Sequence, residues 1–249
     1  MMRLLPRKTL SAGAILRWHV VRRWLPCLAE HTRPIRLLDV GCGQSEYVFE
    51  VARRFPDALH VVGVDEQGRD HLTGFLHIPK GLASRVRLLA GRFSRELVHE
   101  YMPFDGVLCV DVLEHIPDDA GLLTEFRHVC ASGSRLLLHV PATPQWHPIP
   151  SVRKELDRML ATGGGEHVRE GYSLTGLTAV LDSAGWKMLK ARATFGRVAA
   201  WWCDTDFFLA GKRRRILRMA ALPATVIGAL GACSRAPVRG NGWLILAEL

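Results

Sequence analysis

Leu37-Leu38-Asp39-Val40-Gly41-Cys42-Gly43-Gln44 decides how this sequence reads, and Val61-Val62-Gly63-Val64-Asp65 answers it further on. An apolar run with an acid near its end breaks at a Gly-x-Gly turn. A segment of helical character follows, and a second apolar run again closes on an acid. This is the layout of a nucleotide-binding β-α-β unit. A strand buried on both faces reads as a continuous apolar run. Glycines let the backbone turn sharply and approach a ligand where a Cβ would clash. An acid ending the second strand stands where a carboxylate can bind a ribose diol.

The dinucleotide fingerprint requires G-x-G-x-x-G. Its third glycine position is Glu46 here, which disfavours a pyrophosphate site and a nucleotide-dependent oxidoreductase. Further blocks follow in order: Phe104-Asp105-Gly106-Val107-Leu108-Cys109-Val110, then Val112-Leu113-Glu114-His115-Ile116-Pro117, then an apolar run from Gly133 to Pro141. With its acid ahead of the glycines, the first block resembles motif I of the class I S-adenosylmethionine-dependent methyltransferases. The later blocks resemble that family's fourth strand, the segment after it, and its fifth strand. The resemblance covers roughly residues 35 to 195, with a last strand near 243 to 248.

The resemblance implies S-adenosylmethionine as cofactor. It implies a cofactor site made of Asp39, Gly41, Cys42, Gly43, Gln44, Asp65, Glu66, Asp111 and Val112. Asp39 and the glycines would form the methionine-end pocket, Asp65 would bind the ribose hydroxyls, and Asp111 would stand at the mouth. The chain departs from the family at Gly91-Arg92-Phe93, where an acid often faces the adenine.

Methyl transfer from a sulfonium is an in-line displacement, so the protein chiefly positions donor and acceptor and excludes water. A hydroxyl acceptor also benefits from a general base with a pKa near the working pH. His115 is the candidate base, with His147 and His167 behind it, while His139 on a strand reads as core. Asp111-Val112-Leu113-Glu114-His115 also resembles the metal-binding segment of the ubiquinone-pathway and small-RNA O-methyltransferases. Asp111, Glu114 and His115 would then hold a divalent cation that lowers a hydroxyl's pKa. The same Leu-Glu-His also occurs in members without metal, and whether a metal binds stays open.

Apolar runs alternating with helical patterns predict an α/β fold. The expectation is a doubly wound, Rossmann-like, seven-stranded, mostly parallel sheet. An N-terminal helix precedes it and a helical insertion comes before the last strand. Ser11 caps a helix expected to run to about Glu30. Strands are expected at 35–40, 59–64, 86–90, 104–110, 134–140, 186–193 and 243–248. Helices are expected at 45–55, 93–101, 118–131 and 174–184, with a short helix and loop over 67–84. Residues 141–150, Pro-Ala-Thr-Pro-Gln-Trp-His-Pro-Ile-Pro, read as a rigid loop at the carboxyl end of a strand, where ligands of such sheets bind. His167-Val-Arg-x-x-Tyr-Ser173 resembles a stretch of the family's glycan- and small-molecule-modifying members. Trp146, His147, Tyr172 and Trp201 are the expected acceptor lining.

The organisation expected is one methyltransferase domain over 1–249. A helical extension at 1–34 precedes a cofactor-binding core at 35–195, then a basic and apolar insertion at 196–241 and the last strand at 242–249. The chain carries a net charge of +9, unevenly spread. Residues 1–38 hold +7 and residues 196–240 hold +6, which leaves the rest mildly acidic. Lys212-Arg213-Arg214-Arg215 precedes an apolar stretch at 216–233 that Arg218 and Pro223 interrupt. That pattern suits an interfacial helix on anionic lipid through 212–233, or a lid on the sheet edge, better than a spanning helix. Six scattered cysteines without a C-x-x-C pair fit reduced, intracellular thiols, and no signal-peptide pattern is visible. The location expected is cytoplasmic, with a peripheral contact on the inner face of the membrane as the finer form.

The acceptor expected is an oxygen on a small molecule, a glycan or a lipid-linked intermediate. An RNA methyltransferase is the alternative that the charge favours. Against it, the chain shows no appended RNA-binding module and no basic, aromatic strand pair. A non-catalytic, membrane-associated scaffold is the alternative of another class.

Overall fold

The structure is a computed structural model, and it describes residues 11–29, 35–66, 78–162, 167–210, 221, 223–224, 227–228, 237 and 239–249. Seven strands form one sheet: β1 Arg36–Val40, β2 His60–Asp65, β3 Val86–Ala90, β4 Phe104–Val110, β5 Cys130–Pro141, β6 Lys187–Thr194 and β7 Gly242–Glu248. Their order is β3-β2-β1-β4-β5-β7-β6. β7 runs antiparallel to both β5 and β6, and the other pairs are parallel. The strand order reverses its sense between β1 and β4, and such switch points open a crevice at the carboxyl ends of the strands.

The period of two along each strand builds a separate core on each face. Leu37, Val61, Leu137 and Leu244 pack on one side of the sheet. Their chain neighbours Leu38, Val62, Leu138 and Ile245 pack on the other. Helices α1 Ala12–Val21 and α2 Glu46–Arg54 send Leu16, Val20, Val48 and Val51 to the first core. Helices α4 Asp119–Val129 and α6 Leu174–Ser183 send Leu123, Phe126, Leu177 and Leu181 to the second; between β3 and β4 lies a single turn, α3 Arg95–Val98. Trp186 is fully buried there, and its indole N–H donates to the Leu123 carbonyl at 2.9 Å, so its one polar atom is satisfied. Gly63 lets α2 lie close on β2: an added Cβ would meet Val48 at 2.7 Å and Leu88 at 2.9 Å.

The N-terminal helix is shorter than its apolar pattern suggests. Ser11 caps it by accepting from Ala14 N–H, but α1 ends at Val21 and a 3-10 turn, Leu25–Leu28, follows. Pro26 lies in that turn, and proline disfavours helical geometry in the residue before it. α5 Pro150–Thr162 is a helix where the sequence reading expects none. Its signals are in the sequence: Val152, Leu156, Met159 and Leu160 recur at helical spacing, Pro150 starts the helix, and Arg153 and Asp157 form an i,i+4 pair, although only Val152 is buried. β5 begins earlier than expected, at Cys130, directly after α4. α7 Arg197–Leu209 opens the insertion before β7. The Ala12 N–H donates to the Asp206 carboxylate of α7 at 2.9 Å, which sets a negative charge at the N-terminus of α1. The run Lys212–Arg215, most of 216–233, Gly163–Glu166 and residues 67–77, most of the span expected as a short helix and loop, lie outside the described residues. Among the described residues no helix is long and apolar enough to cross a membrane.

Candidate active site

β1 runs into the glycine turn at the switch point, and two clefts flank it. Val40, Gly41, Val64, Glu66, Gly91, Phe93 and Val112 belong to the lining of one, of about 350 Å³. The other, of about 220 Å³, is lined by Gly41, Cys42, Gly43, Gln44, Glu46 and Tyr47, with Arg17 and Trp18 of α1 over it. Gly41 has φ 72° and Gly43 φ 49°, which favours glycine at both. A Cβ on Gly41 would stand 2.2 Å from Val112 Cγ2, so the turn presses against the segment after β4. The Gly43 N–H donates to Asp65 at 2.8 Å, which ties the ends of β1 and β2 together.

Asp39 lies beneath the turn and is nearly inaccessible to solvent. Burial, with Glu46 and Asp65 adding like charge, pushes its pKa well above the ordinary carboxylate range. Its Oδ2 is buried with no hydrogen-bond partner among the described residues. A cationic ligand end in the adjoining cleft would stabilise this carboxylate. The methionine end of S-adenosylmethionine, which carries an ammonium and a sulfonium, fits that need. Cys42 is buried, and burial pushes its thiol pKa up, so it acts as packing rather than as a nucleophile.

Asp111 follows β4 in the left-handed region, at φ 52°. Its carboxylate pairs with Arg17 of α1 and with His139 Nδ1 of β5, and it belongs to the lining of neither cleft. The Nε2 of His139 meets Thr194 Oγ1 at 3.1 Å. Burial first, and then Arg17, push the His139 pKa down to about 3, so the ring is neutral at working pH. His139 is a buried link between strands, in keeping with its place on a strand.

The turn after β4, Leu113–His115, turns Glu114 inward. Arg169 staples the later segment to it by donating to the carbonyls of Leu113, Ile116 and Pro117 at 2.7, 2.8 and 3.0 Å. Val168 N–H donates to the Glu114 carbonyl at 3.0 Å. This clamp brings His167 against His115, ring centroids 4.4 Å apart. One ligand atom from each of Glu114, His115 and His167 lies within 4.8 Å of the others. Burial pushes the Glu114 pKa up to about 7 against the pull of Arg17 and Arg169, and its Oε2 has no hydrogen-bond partner among the described residues. The sequence points to Asp111, Glu114 and His115; the structure brings the last two together, engages Asp111 elsewhere, and adds His167 from a distant segment.

His167 also lines a third cleft, of about 140 Å³, with Gln145, His147, Arg153, Glu170 and the apolar residues Leu156, Met159 and Leu160 of α5. Both nitrogens of His147 are engaged, Nδ1 by Asp204 at 2.9 Å and Nε2 by Gln145 at 3.0 Å. Tyr172 is buried, and its hydroxyl donates to Asp119 at 2.7 Å, so it belongs to the clamp rather than to a cleft wall. Trp146 faces a separate cavity, and Trp201 stands exposed on α7. Arg17 and Glu114 weigh more in the structure than in the sequence, Arg17 as the partner of Asp111 over the cleft and Glu114 as a buried member of the histidine cluster. No motif surrounds Arg17 in the sequence, and Glu114 reads there only as a candidate metal ligand.

The sheet order with its antiparallel β7, and the glycine turn beneath two clefts, define the class I S-adenosylmethionine-dependent methyltransferases. The pattern of the methyltransferase domain matches residues 15–191, and the chain belongs to that family. Its cofactor is S-adenosylmethionine. The chain is 28% identical over 134 residues to a ubiquinone biosynthesis O-methyltransferase of Xylella fastidiosa, covering 53% of this chain and 50% of the relative. It is 36% identical over 103 residues to the protein of the same name from Hahella chejuensis, covering 41% of each. The matches thus span half or less of these curated relatives. Among solved structures, it resembles mycolic acid cyclopropane synthase at 15% identity and TM-score 0.59, covering 93% of this chain and 84% of that one. It also resembles the cyclase SpnF at 19% identity and TM-score 0.57, covering 91% and 80%. These likenesses show the fold, and their differing names show that the fold alone does not set the reaction.

Proposed function

We propose that the chain transfers the methyl group of S-adenosylmethionine to an oxygen of a small-molecule acceptor. The observation that carries this reading is the double membership of His167. It belongs both to the Glu114–His115–His167 cluster and to the cleft walled by Leu156, Met159 and Leu160. A hydroxyl held in that cleft would stand beside groups able to take its proton. The names of the curated relatives support an oxygen acceptor. The small, apolar-walled cleft favours a small molecule over a polynucleotide.

When bound, S-adenosylmethionine supplies an electrophilic methyl group on a sulfonium. Asp39, Gly41, Cys42, Gly43 and Gln44 would hold the methionine end, with Arg17 above them as a partner for its carboxylate. Asp65 and Glu66 would hold the ribose, and Val112 with Phe93 would face the adenine. His115 is the group we assign to accept the proton, with Glu114 beside it to hold a proton or balance the charge. His115 and Glu114 would take up the proton that a hydroxyl acceptor loses on methylation. α1 and the segment clamped by Arg169 would exclude water.

A second reading gives the same cluster a divalent cation. Two imidazoles and a carboxylate suit a borderline transition ion better than magnesium, and the unpartnered Glu114 Oε2 fits a ligand role. Chelation followed by add-back of manganese, zinc or magnesium decides between the readings. Activity that survives chelation assigns the cluster to proton transfer; activity restored by one ion assigns it to the metal.

For location, the finer reading is a peripheral contact with an anionic membrane through 212–233. It is supported by the basic run at 212–215 and by Val198, Trp201 and Phe207, which stand exposed on α7 just before it. Co-sedimentation with anionic but not neutral vesicles would support it. The function itself is tested with methyl-labelled S-adenosylmethionine against phenols, glycans, lipid extracts and RNA. Label in a hydroxyl-bearing small molecule is expected. Label in RNA alone would overturn the reading.

A further inference from the structure

We propose that the cavity where β5 and β6 end and β7 begins is a separate ligand site for a phosphate or carboxylate carried on a planar, apolar body. Thr143 and Trp146 from the loop after β5, Phe195 and Arg197 from the β6–α7 junction, and Arg239 and Trp243 from the run into β7 line a space of about 570 Å³. That is within the range of small-molecule sites. Among the described residues it shares no lining residue with either cleft at the glycine turn, and it touches the histidine cleft only through Gln145.

The walls are held in place. Asn241 grips the backbone of Trp146 from both sides: its Oδ1 accepts from Trp146 N–H at 2.9 Å, and its Nδ2 donates to the Trp146 carbonyl at 2.8 Å. Asn241 N–H donates to the Phe195 carbonyl at 3.1 Å, and Ala142 N–H to the Asn241 carbonyl at 2.9 Å. The Trp243 indole N–H donates to the Tyr172 carbonyl at 3.1 Å, which fixes that ring as well. Three strand ends are therefore tied into one rim before any ligand arrives.

The chemistry of the lining is one-sided. Among the described residues two guanidinium groups line the cavity and no carboxylate does. Among the described residues neither Arg197 nor Arg239 has an ion-pair partner. The Arg197 guanidinium lies over the Trp146 ring, 5.5 Å from its centroid. That stacking leaves the edge of the fork, with its N–H donors, for an anion. Guanidinium forks match phosphate and carboxylate oxygens, and the faces of Trp146, Phe195 and Trp243 suit a flat, apolar group. Both guanidinium groups are exposed to water in the free protein, and an anion would replace that water with charge-assisted hydrogen bonds while its apolar body covered the rings.

The test uses the full chain and four probes: phenyl phosphate, benzoate, phenol and inorganic phosphate. Binding is read by tryptophan fluorescence and calorimetry in the wild type, Arg197→Gln, Arg239→Gln and the double variant. Phenyl phosphate or benzoate should bind at least about tenfold more tightly than phenol and than inorganic phosphate. The comparison of the first two says which anion the site prefers. Each single variant should weaken the preferred probe by about tenfold, as expected for a lost charge-assisted hydrogen bond. S-adenosylmethionine affinity should stay unchanged in the variants, which separates this site from the methyl-transfer reading. Equal binding of phenol and the two aryl anions, or unaltered anion binding in both single variants, would overturn the proposal. The singles decide the matter even if the double variant does not fold.

Discussion

Replacing Glu114 by glutamine isolates what burial does to one carboxylate. An unfolded glutamate titrates near 4.5, whereas the folded Glu114 holds its proton up to about 7 because its surroundings desolvate the charge. The folded-state pKa is raised, so this group's contribution to stability is fully present below pH 4.5 and is lost as pH rises through 7. A gap of that size is worth about 3 kcal/mol, at roughly 1.4 kcal/mol per pKa unit. Glutamine has nearly the same shape and does not titrate. Its amide carries a desolvation cost of its own, so the change of the difference with pH is the informative quantity. In chelator-treated protein, urea unfolding at pH 5 and pH 8 should show Glu114→Gln gaining about 2–3 kcal/mol on the wild type between the two. The wild type should also show a rise in kcat/KM through pH 7 that the variant lacks, if the ionised carboxylate assists proton removal. A wild type and a variant that track each other in stability from pH 5 to 8 would refute the argument. They would show Glu114 to be solvated and the cluster to be more open than its burial implies.

Asp65→Ala should weaken S-adenosylmethionine binding by roughly 1.5–3 kcal/mol, the worth of hydrogen bonds to a charged group; unchanged affinity by calorimetry would remove Asp65 from the site. Gly41→Ala puts a Cβ 2.2 Å from Val112 Cγ2 at a φ of 72°, so cofactor binding should disappear and the melting temperature should fall. Asp206→Ala removes the acceptor of the buried Ala12 N–H and should cost about 1–2 kcal/mol, as for a lost helix cap. It should also loosen α1 over the cleft that Arg17 and Trp18 cover, seen as faster amide exchange in residues 12–21.

The sheet was legible because both of its signals are local. Apolar runs such as Leu37–Val40 and Leu244–Ala247 alternate between two buried faces, and glycine closes the turn after β1. The antiparallel β7 and its place between β5 and β6 are long-range properties, and no local pattern in the chain carries them. α5 was missed although Val152, Leu156, Met159 and Leu160 recur at helical spacing, because the prolines of 141–150 direct the reading to a loop and the helix buries only Val152. The end of α1 is overrun because Trp24, Leu25 and Leu28 are buried just as the helix residues are, although Pro26 marks the change. In the site, Gly41 and Asp65 were visible because turn chemistry is written in single residues. The meeting of His167 with Glu114 and His115 was not visible. It depends on Arg169 clasping three carbonyls more than fifty residues away, and no spacing rule encodes that contact. Asp111 looked available for the same reason in reverse, since both of its partners, Arg17 and His139, come from distant elements.

The central claim is that the clefts around Gly41 bind S-adenosylmethionine for methyl transfer. Calorimetric titration of the purified chain with S-adenosylmethionine, with NADH in parallel, tests it most directly. The account predicts saturable one-to-one binding of S-adenosylmethionine and no heat with NADH. Binding of NADH, with none of S-adenosylmethionine, would contradict it.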